Sequence, residues 1–163
     1  MIVAGTGHRP DKLGGYGERV KENLKQVALD YLNGHQWDAN FITRVISGGA
    51  LGWDQALGWA AIEADIPLTL ALPFPRFESK WPKQGQDELE LMVSYADKVV
   101  YVCDDGYAPW KMQKRNEYMV DNADTVLALW NGTSGGTANC VVYAEKMGKP
   151  IINLWENYND ISS

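Results

Sequence analysis

Two patterns of apolar spacing alternate along the chain. Short, nearly continuous apolar runs lie at 1–4, 41–46, 68–72, 98–103, 125–130 and 151–155, and each has the length of a strand. Between them the apolar residues fall three or four apart. Val20, Leu24, Val27, Tyr31 and Leu32 predict an amphipathic helix that stops at Asn33-Gly34. Ala56, Leu57, Ala60, Ala61 and Ala64 predict a second helix with a small-residue face suited to close packing on a sheet. Leu89, Met92, Val93 and Ala96 mark a third, residues 110–122 a fourth and residues 138–147 a fifth. Residues 35–40 read as a connecting loop with His35 exposed and without a role, and residues 155–163 as a polar tail. Strand and helix in strict alternation predict an α/β protein. The expected fold is a Rossmann-like, three-layer, doubly wound and mostly parallel sheet of about six strands, in one domain spanning 1–163.

Three of the predicted strands end in glycine. The first runs into Gly5-Thr6-Gly7-His8-Arg9-Pro10, the second into Ser47-Gly48-Gly49-Ala50-Leu51-Gly52-Trp53-Asp54, and the fifth into Asn131-Gly132-Thr133-Ser134-Gly135-Gly136-Thr137. Glycine at a strand-to-helix turn lets the backbone approach a ligand, and the first N–H groups of the next helix lack internal partners. Those groups and the helix dipole favour an anion, most often a phosphate. A plain turn with Ser134 as helix cap is the alternative at the fifth strand, and the repeat of Ser-Gly-Gly at two junctions weighs against it. The phosphate-binding candidates are therefore Gly5, Thr6, Gly7, His8, Arg9, Ser47, Gly48, Gly49, Asn131, Gly132, Ser134, Gly135, Gly136 and Thr137. Residues 11–17 form a polar, glycine-rich loop placed to cover the site.

The helix at 110–122 adds the sharpest single-residue expectation. Met112, Arg115 and Met119 share one helix face, so Arg115 lies on the side that carries the apolar anchors. An arginine there is expected to meet a buried anion or carboxylate rather than water. Its neighbour Asn116 joins the candidates. Asp54 opens the second helix, where a carboxylate acts as a cap, as an acceptor for a ribose hydroxyl or as a base; the three readings stay open. Residues 73–82 are aromatic and proline-rich and carry Arg76 and Lys80. They suit either the stacking of a base and neutralisation of phosphate or the packing of a loop on a second subunit.

Charge and composition narrow the function. The 163 residues carry a net charge of −6, against non-specific binding to a nucleic-acid backbone but compatible with one nucleotide held by local N–H groups. Cys103 and Cys140 form neither a metal-ligand spacing nor a disulfide framework, which fits a reducing cytoplasm. Cys140 reads as packing, with no histidine placed to activate it. No signal pattern and no run of membrane-spanning length appears, and nothing calls for a metal or a cofactor. Seven tryptophans leave room for a subunit interface or an aromatic-lined pocket.

The motifs from Gly5 to Pro10 and from Ser47 to Asp54 resemble the YpsA-type branch of the SLOG superfamily, which includes the DprA proteins and the Lonely Guy phosphoribohydrolases. Arg115-Asn116-x-x-Met119, the strand from Asp124 to Leu129 and Gly135-Gly136-Thr137 are similar to the Lonely Guy arrangement of an Arg-Lys-x-x-Met helix, a strand and a Pro-Gly-Gly-x-Gly-Thr-x-x-Glu loop. The resemblance spans residues 1 to about 155 and implies homodimers. It also implies a nucleotide-derived ligand, such as an ADP-ribose, NAD or nucleoside monophosphate relative, with Arg115 matching the catalytic arginine of those N-glycosidases. The catalytic glutamate has no counterpart: Asn139 and Cys140 stand where it is expected, and Asn116 replaces the lysine. The expected function is thus a sensor or sequestering protein. The alternative is an N-glycosidase in which Arg115 grips the substrate and Asp54 serves as base.

Overall fold

Val3, Val45, Leu70 and Leu127 belong to one apolar cluster, whereas their chain neighbours Ala4, Ile46, Ala71 and Val126 belong to others. This is the two-residue repeat of strands buried on both faces. The computed structural model describes residues 1–35 and 41–163. Of the loop expected over 35–40, only its first residue falls within the described residues.

The strands are β1 (Ile2–Gly7), β2 (Arg44–Ser47), β3 (Leu68–Leu72), β4 (Lys98–Tyr101), β5 (Thr125–Leu129) and β6 (Ile151–Asn153). They form one sheet in the order β4-β3-β2-β1-β5-β6. Every neighbouring pair is parallel, so the sheet is wholly rather than mostly parallel. The helices are α1 (Glu18–Asn33), α2 (Trp53–Glu63), α3 (Lys83–Tyr95), α4 (Pro109–Asp121), α5 (Gly136–Lys146) and α6 (Trp155–Ser162). The large cluster draws on α1, α2, α3 and α6, and the two smaller ones draw on α4 and α5. Helices therefore cover both faces of the sheet. From β1 the chain first steps outward through β2, β3 and β4, then returns to the other side of β1 with β5. The crevice between the C-terminal ends of β1 and β5 is the switch point where open α/β sheets bind ligands.

Several expected boundaries move, each for a packing reason. β1 continues through Gly5, Thr6 and Gly7, which pair in register with Leu127, Ala128 and Leu129. Helix α2 lies directly on this stretch. A Cβ at Gly5 would come within 2.4 Å of Leu57 Cδ2, and one at Gly7 within 2.5 Å of Trp53 Cδ1. These two glycines thus admit a helix at close range, and Trp53 Nε1 reaches past them to donate to the Leu127 carbonyl at 3.2 Å. β2 begins only at Arg44, with Phe41 half exposed ahead of it. The polar tail folds as α6 because Trp155 and Tyr158, three apart, pack on the core, and the Tyr158 hydroxyl donates to the Leu13 carbonyl. His35 is half-buried rather than exposed; its Nδ1 lies 2.9 Å from the Tyr31 carbonyl and its ring stacks on Tyr31.

Candidate functional site

A cavity of about 210 Å³ opens at the switch point. Its lining combines the end of β1 (Thr6, Gly7, His8), the following segment (Arg9, Asp11, Lys12), the start of α2 (Ala50, Asp54), one face of α4 (Met112, Arg115, Asn116, Met119) and the start of α5 (Gly136, Thr137). The shared face of Met112, Arg115 and Met119 therefore lies where the helical spacing placed it.

The two helix starts beside this cavity differ. At α2 the Trp53 N–H donates to the His8 carbonyl and the Gln55 N–H to the Ala50 carbonyl, while the Ser47 hydroxyl donates to the Asp54 carbonyl at 2.6 Å. That turn is closed on itself. At α5 no side chain caps the helix, Ser134 included. Among the described residues no carbonyl accepts from the backbone N–H groups of Gly136, Thr137 and Ala138. The second Ser-Gly-Gly turn is thus open to an anion, and the first is not.

Arg115 is 5% exposed, as expected of an arginine turned away from water, and makes no direct ion pair among the described residues. Its Nη1 donates to the Gly48 carbonyl at 2.7 Å and, more weakly, to the Ala71 carbonyl at 3.4 Å, and its Nε donates to Asn116 Oδ1 at 3.2 Å. The two carbonyls lie just beyond the end of β2 and near the end of β3. One nitrogen of the guanidinium, Nη2, has no partner among the described residues. Asp54, 6% exposed, faces the same cavity without a direct ion pair to Arg115. Burial pushes its pKa above the ordinary carboxylate value, against the opposing fields of Arg115 and Arg9 and a hydrogen bond from the Ala50 backbone.

His8 holds the fifth-strand loop. Its Nε2 lies 3.0 Å from the Asn131 backbone nitrogen and 2.8 Å from Asn131 Oδ1, which accepts from the Thr133 N–H and hydroxyl. Burial lowers the His8 pKa, against the hydrogen bond with Asn131, and favours the neutral ring. Lys12 ties the same loop from the other side, donating to Thr133 Oγ1 at 2.8 Å and the Ser134 carbonyl at 3.3 Å. Arg9 is exposed at the rim, and its side chain makes no hydrogen bond or ion pair among the described residues.

Of the residues singled out in the sequence, Thr6, Gly7, His8, Arg9, Asp54, Arg115, Asn116, Gly136 and Thr137 come together here. The others serve the site from behind or lie away from it. Gly5 is engaged with Leu57, and Ser47 holds its own turn. Gly48 gives way to Arg115 and Asp54, and Gly49 lies against Leu72. Asn131 is engaged with His8, while Gly132, Ser134 and Gly135 are exposed beyond the cavity. Arg76 is outside it altogether, exposed and paired with Asp105. The surrounding aromatics pack on one another: Phe74 on Phe77 and Tyr107, and Phe77 on Trp81. Asp11 and Lys12 belong to the loop expected to cover the site, but neither was singled out as a binding residue. The signal for Lys12 was a cation three residues beyond Arg9 in a turn begun by Pro10.

A larger cavity, about 520 Å³, lies among α1, α2 and α3, with Val20, Leu24, Trp59 and Leu91 in its walls. Its lysines are paired, Lys21 with Glu88 and Lys25 with Glu63, so it offers an anion no free charge. Among the described residues no cluster of His, Cys, Asp and Glu is placed to hold a metal, and no helix is long and apolar enough to cross a membrane.

The glycine-bearing ends of β1, β2 and β5 and the arginine of α4 fall within a match to the YpsA family model, the YspA SLOG family, over residues 3–150. The chain belongs to this SLOG family. The SPbeta prophage-derived protein YoqJ of Bacillus subtilis is similar, 34% identical over 71% of this chain and 78% of its own. A UPF0398 protein of Bacillus cereus is 26% identical over 97% of this chain and 87% of its own. Among solved structures, DNA processing protein A from Helicobacter pylori, described for its single-stranded DNA binding mode, matches with a TM-score of 0.63. It is 19% identical, over 93% of this chain and 63% of that one, a likeness of fold alone. SLOG membership and the switch-point cavity fit a nucleotide-related role.

Proposed function

We propose that this SLOG protein binds a phosphate-bearing, nucleotide-derived small molecule of the ADP-ribose, NAD or nucleoside monophosphate class, as a sensor or sequestering protein. The observation that carries the reading is the start of α5. Unpaired N–H groups there share a cavity with Arg115, Arg9 and Lys12. A helix N-terminus with three cations around it is an anion site, and a planar guanidinium suits phosphate oxygens best. The cavity is smaller than the roughly 300–1,000 Å³ that encloses a drug-sized ligand. It suits the phosphate end of a nucleotide, with the base outside.

Turnover lacks its usual carboxylate. Cys140, at the position in question, is buried and its thiol is pushed up to about 11. One observation favours the N-glycosidase reading instead: Asp54 is a buried carboxylate in the same cavity, with its proton affinity raised by burial. One experiment separates the two. The protein is incubated with nucleoside monophosphates, NAD and ADP-ribose, binding is followed by calorimetry and free base by chromatography. Binding with intact ligand supports the sensor. Steady base release that Asp54→Asn abolishes supports the enzyme, and no binding by any of them ends both. The single-stranded DNA binding of the Helicobacter pylori neighbour raises nucleic acid as a partner. Against it stand the net charge of −6 and the small cavity, and we expect no oligonucleotide to shift the protein at low salt.

A further inference from the structure

The anion site places a negative side chain where an anionic ligand must come. Asp54 is 6% exposed, lines the cavity, and receives only the Ala50 backbone N–H among the described residues. Its nearest buried cation, Arg115, directs Nη1 to the Gly48 and Ala71 carbonyls instead. A carboxylate held this way needs hydrogen-bond donors, and phosphate oxygens supply none. The part of the ligand that meets Asp54 is therefore neutral and rich in donors. Asn116 lines the same cavity from α4. Its Oδ1 accepts from Arg115, and its Nδ2 is a donor without a protein partner among the described residues. An acceptor on α2 and a donor on α4, lining one cavity, match adjacent hydroxyl groups, each of which both gives and takes a hydrogen bond.

We infer that Asp54 and Asn116 together read the 2′,3′-diol of a ribose, so that the ligand is a ribonucleotide with both hydroxyls free. This rests on the phosphate site proposed above. The sugar is the group bonded next to the phosphate, and a cavity of about 210 Å³ leaves no room for a base between them. Deoxyribose removes one of the two donors and leaves the carboxylate short of a partner. The same geometry therefore selects against 2′-deoxynucleotides and DNA.

The test uses ligands without a base, so it does not depend on which base the protein prefers. The full chain is titrated with inorganic phosphate, ribose 5-phosphate and 2-deoxyribose 5-phosphate, followed by amide chemical shifts in NMR. Ribose 5-phosphate is expected to bind about ten- to a hundredfold more tightly than the deoxy sugar, the range for a hydrogen bond to a charged group. In Asp54→Ala that preference is expected to shrink to within about threefold while inorganic phosphate still perturbs the start of α5. If Asp54→Ala does not fold, Asp54→Asn takes its place, and the sugar pair on the wild-type protein decides by itself. Equal binding of the two sugars, with phosphate shifts intact, overturns the diol assignment and leaves the phosphate site standing. Equal binding is also what a protonated Asp54 donating to phosphate would give. No shift with any of the three overturns both.

Discussion

Asp54 Oδ2 and Arg115 Nη1 each lie 2.6 Å from the point a Cβ on Gly48 would occupy. The two charged atoms approach the same bare stretch of backbone from opposite helices, α2 and α4. Glycine at 48 is therefore what lets both enter, and its backbone carbonyl is the acceptor that holds the arginine. Gly48→Ala forces one of the two side chains out of a packed position. The expected cost is about 1–3 kcal/mol, the usual range for overpacking, with a loss of phosphate binding in the same variant. Gly136→Ala, whose Cβ would meet nothing within 4 Å, is expected to change stability far less. Urea unfolding of the two variants side by side checks this.

Removing the Arg115 guanidinium acts on both stability and binding. Arg115→Met leaves the Gly48 carbonyl without its donor and Asp54 without the cation whose field opposes its protonation. A loss of about 2–5 kcal/mol is expected. Arg115→Lys keeps the charge but has no planar fork to reach two strand ends and a ligand together. It is expected to retain most of the stability and lose most of the phosphate affinity. Near-wild-type affinity in Arg115→Lys would show that the guanidinium does not touch the ligand.

Much of this was legible in the chain, and the failures have a common physical origin. Period and length gave the strand–helix alternation, and the spacing of Met112, Arg115 and Met119 gave the inward face of α4. Glycine was the ambiguous letter. Gly5 and Gly7 exist because α2 packs on β1 and Gly48 because two side chains need its space, whereas a Cβ at Gly136 would meet nothing within 4 Å. A sequence shows that a side chain is absent and not what fills the space. The contribution of Lys12 was hidden for a similar reason: its partners, Thr133 and Ser134, are far along the chain and meet it only once β5 lies beside β1. The polar tail hid α6 because Trp155 and Tyr158 are its only strongly apolar anchors before Ile161.

The raised pKa of Asp54 makes a signed statement about pH. An acid whose pKa is higher folded than unfolded holds more protons in the folded state between the two values. Stability therefore falls as pH rises from the ordinary value of 3.8 through the folded one, and stays reduced above it. Asp54→Asn removes that titration. The variant is expected to melt above the wild type at pH 7, with the difference vanishing towards pH 3. Thermal melts of both proteins across this range check it, and a difference of the opposite sign at pH 7 would mean that Arg115 stabilises the carboxylate more than burial penalises it.

Cys140 is 1% exposed and its thiol is pushed up to about 11 by burial. At pH 8 only about one molecule in a thousand carries the thiolate that attacks an alkylating agent. In the folded protein iodoacetamide is expected to leave Cys140 unmodified over hours, and to label it promptly in urea. Mass spectrometry of the peptide reads the difference, and prompt labelling without urea would reopen a nucleophilic role for this position.

The last helix reaches the candidate site through one hydrogen bond. Tyr158 is 4% exposed and its hydroxyl donates to the Leu13 carbonyl, next to Lys12, whose amine holds the loop after β5. The segment that walls the cavity is thus anchored at one end by α6 and at the other by Thr133. Tyr158→Phe keeps the ring in its apolar seat and deletes only the donor, leaving the Leu13 carbonyl unpaired. The expected loss is about 1 kcal/mol of global stability. A larger effect is expected locally, as faster amide hydrogen exchange across residues 10–17 than elsewhere in the chain. Phosphate affinity should fall with it, because Lys12 loses its fixed position at the cavity wall. Uniform exchange in Tyr158→Phe, with unchanged phosphate binding, would show that α6 supports the core without bearing on the site.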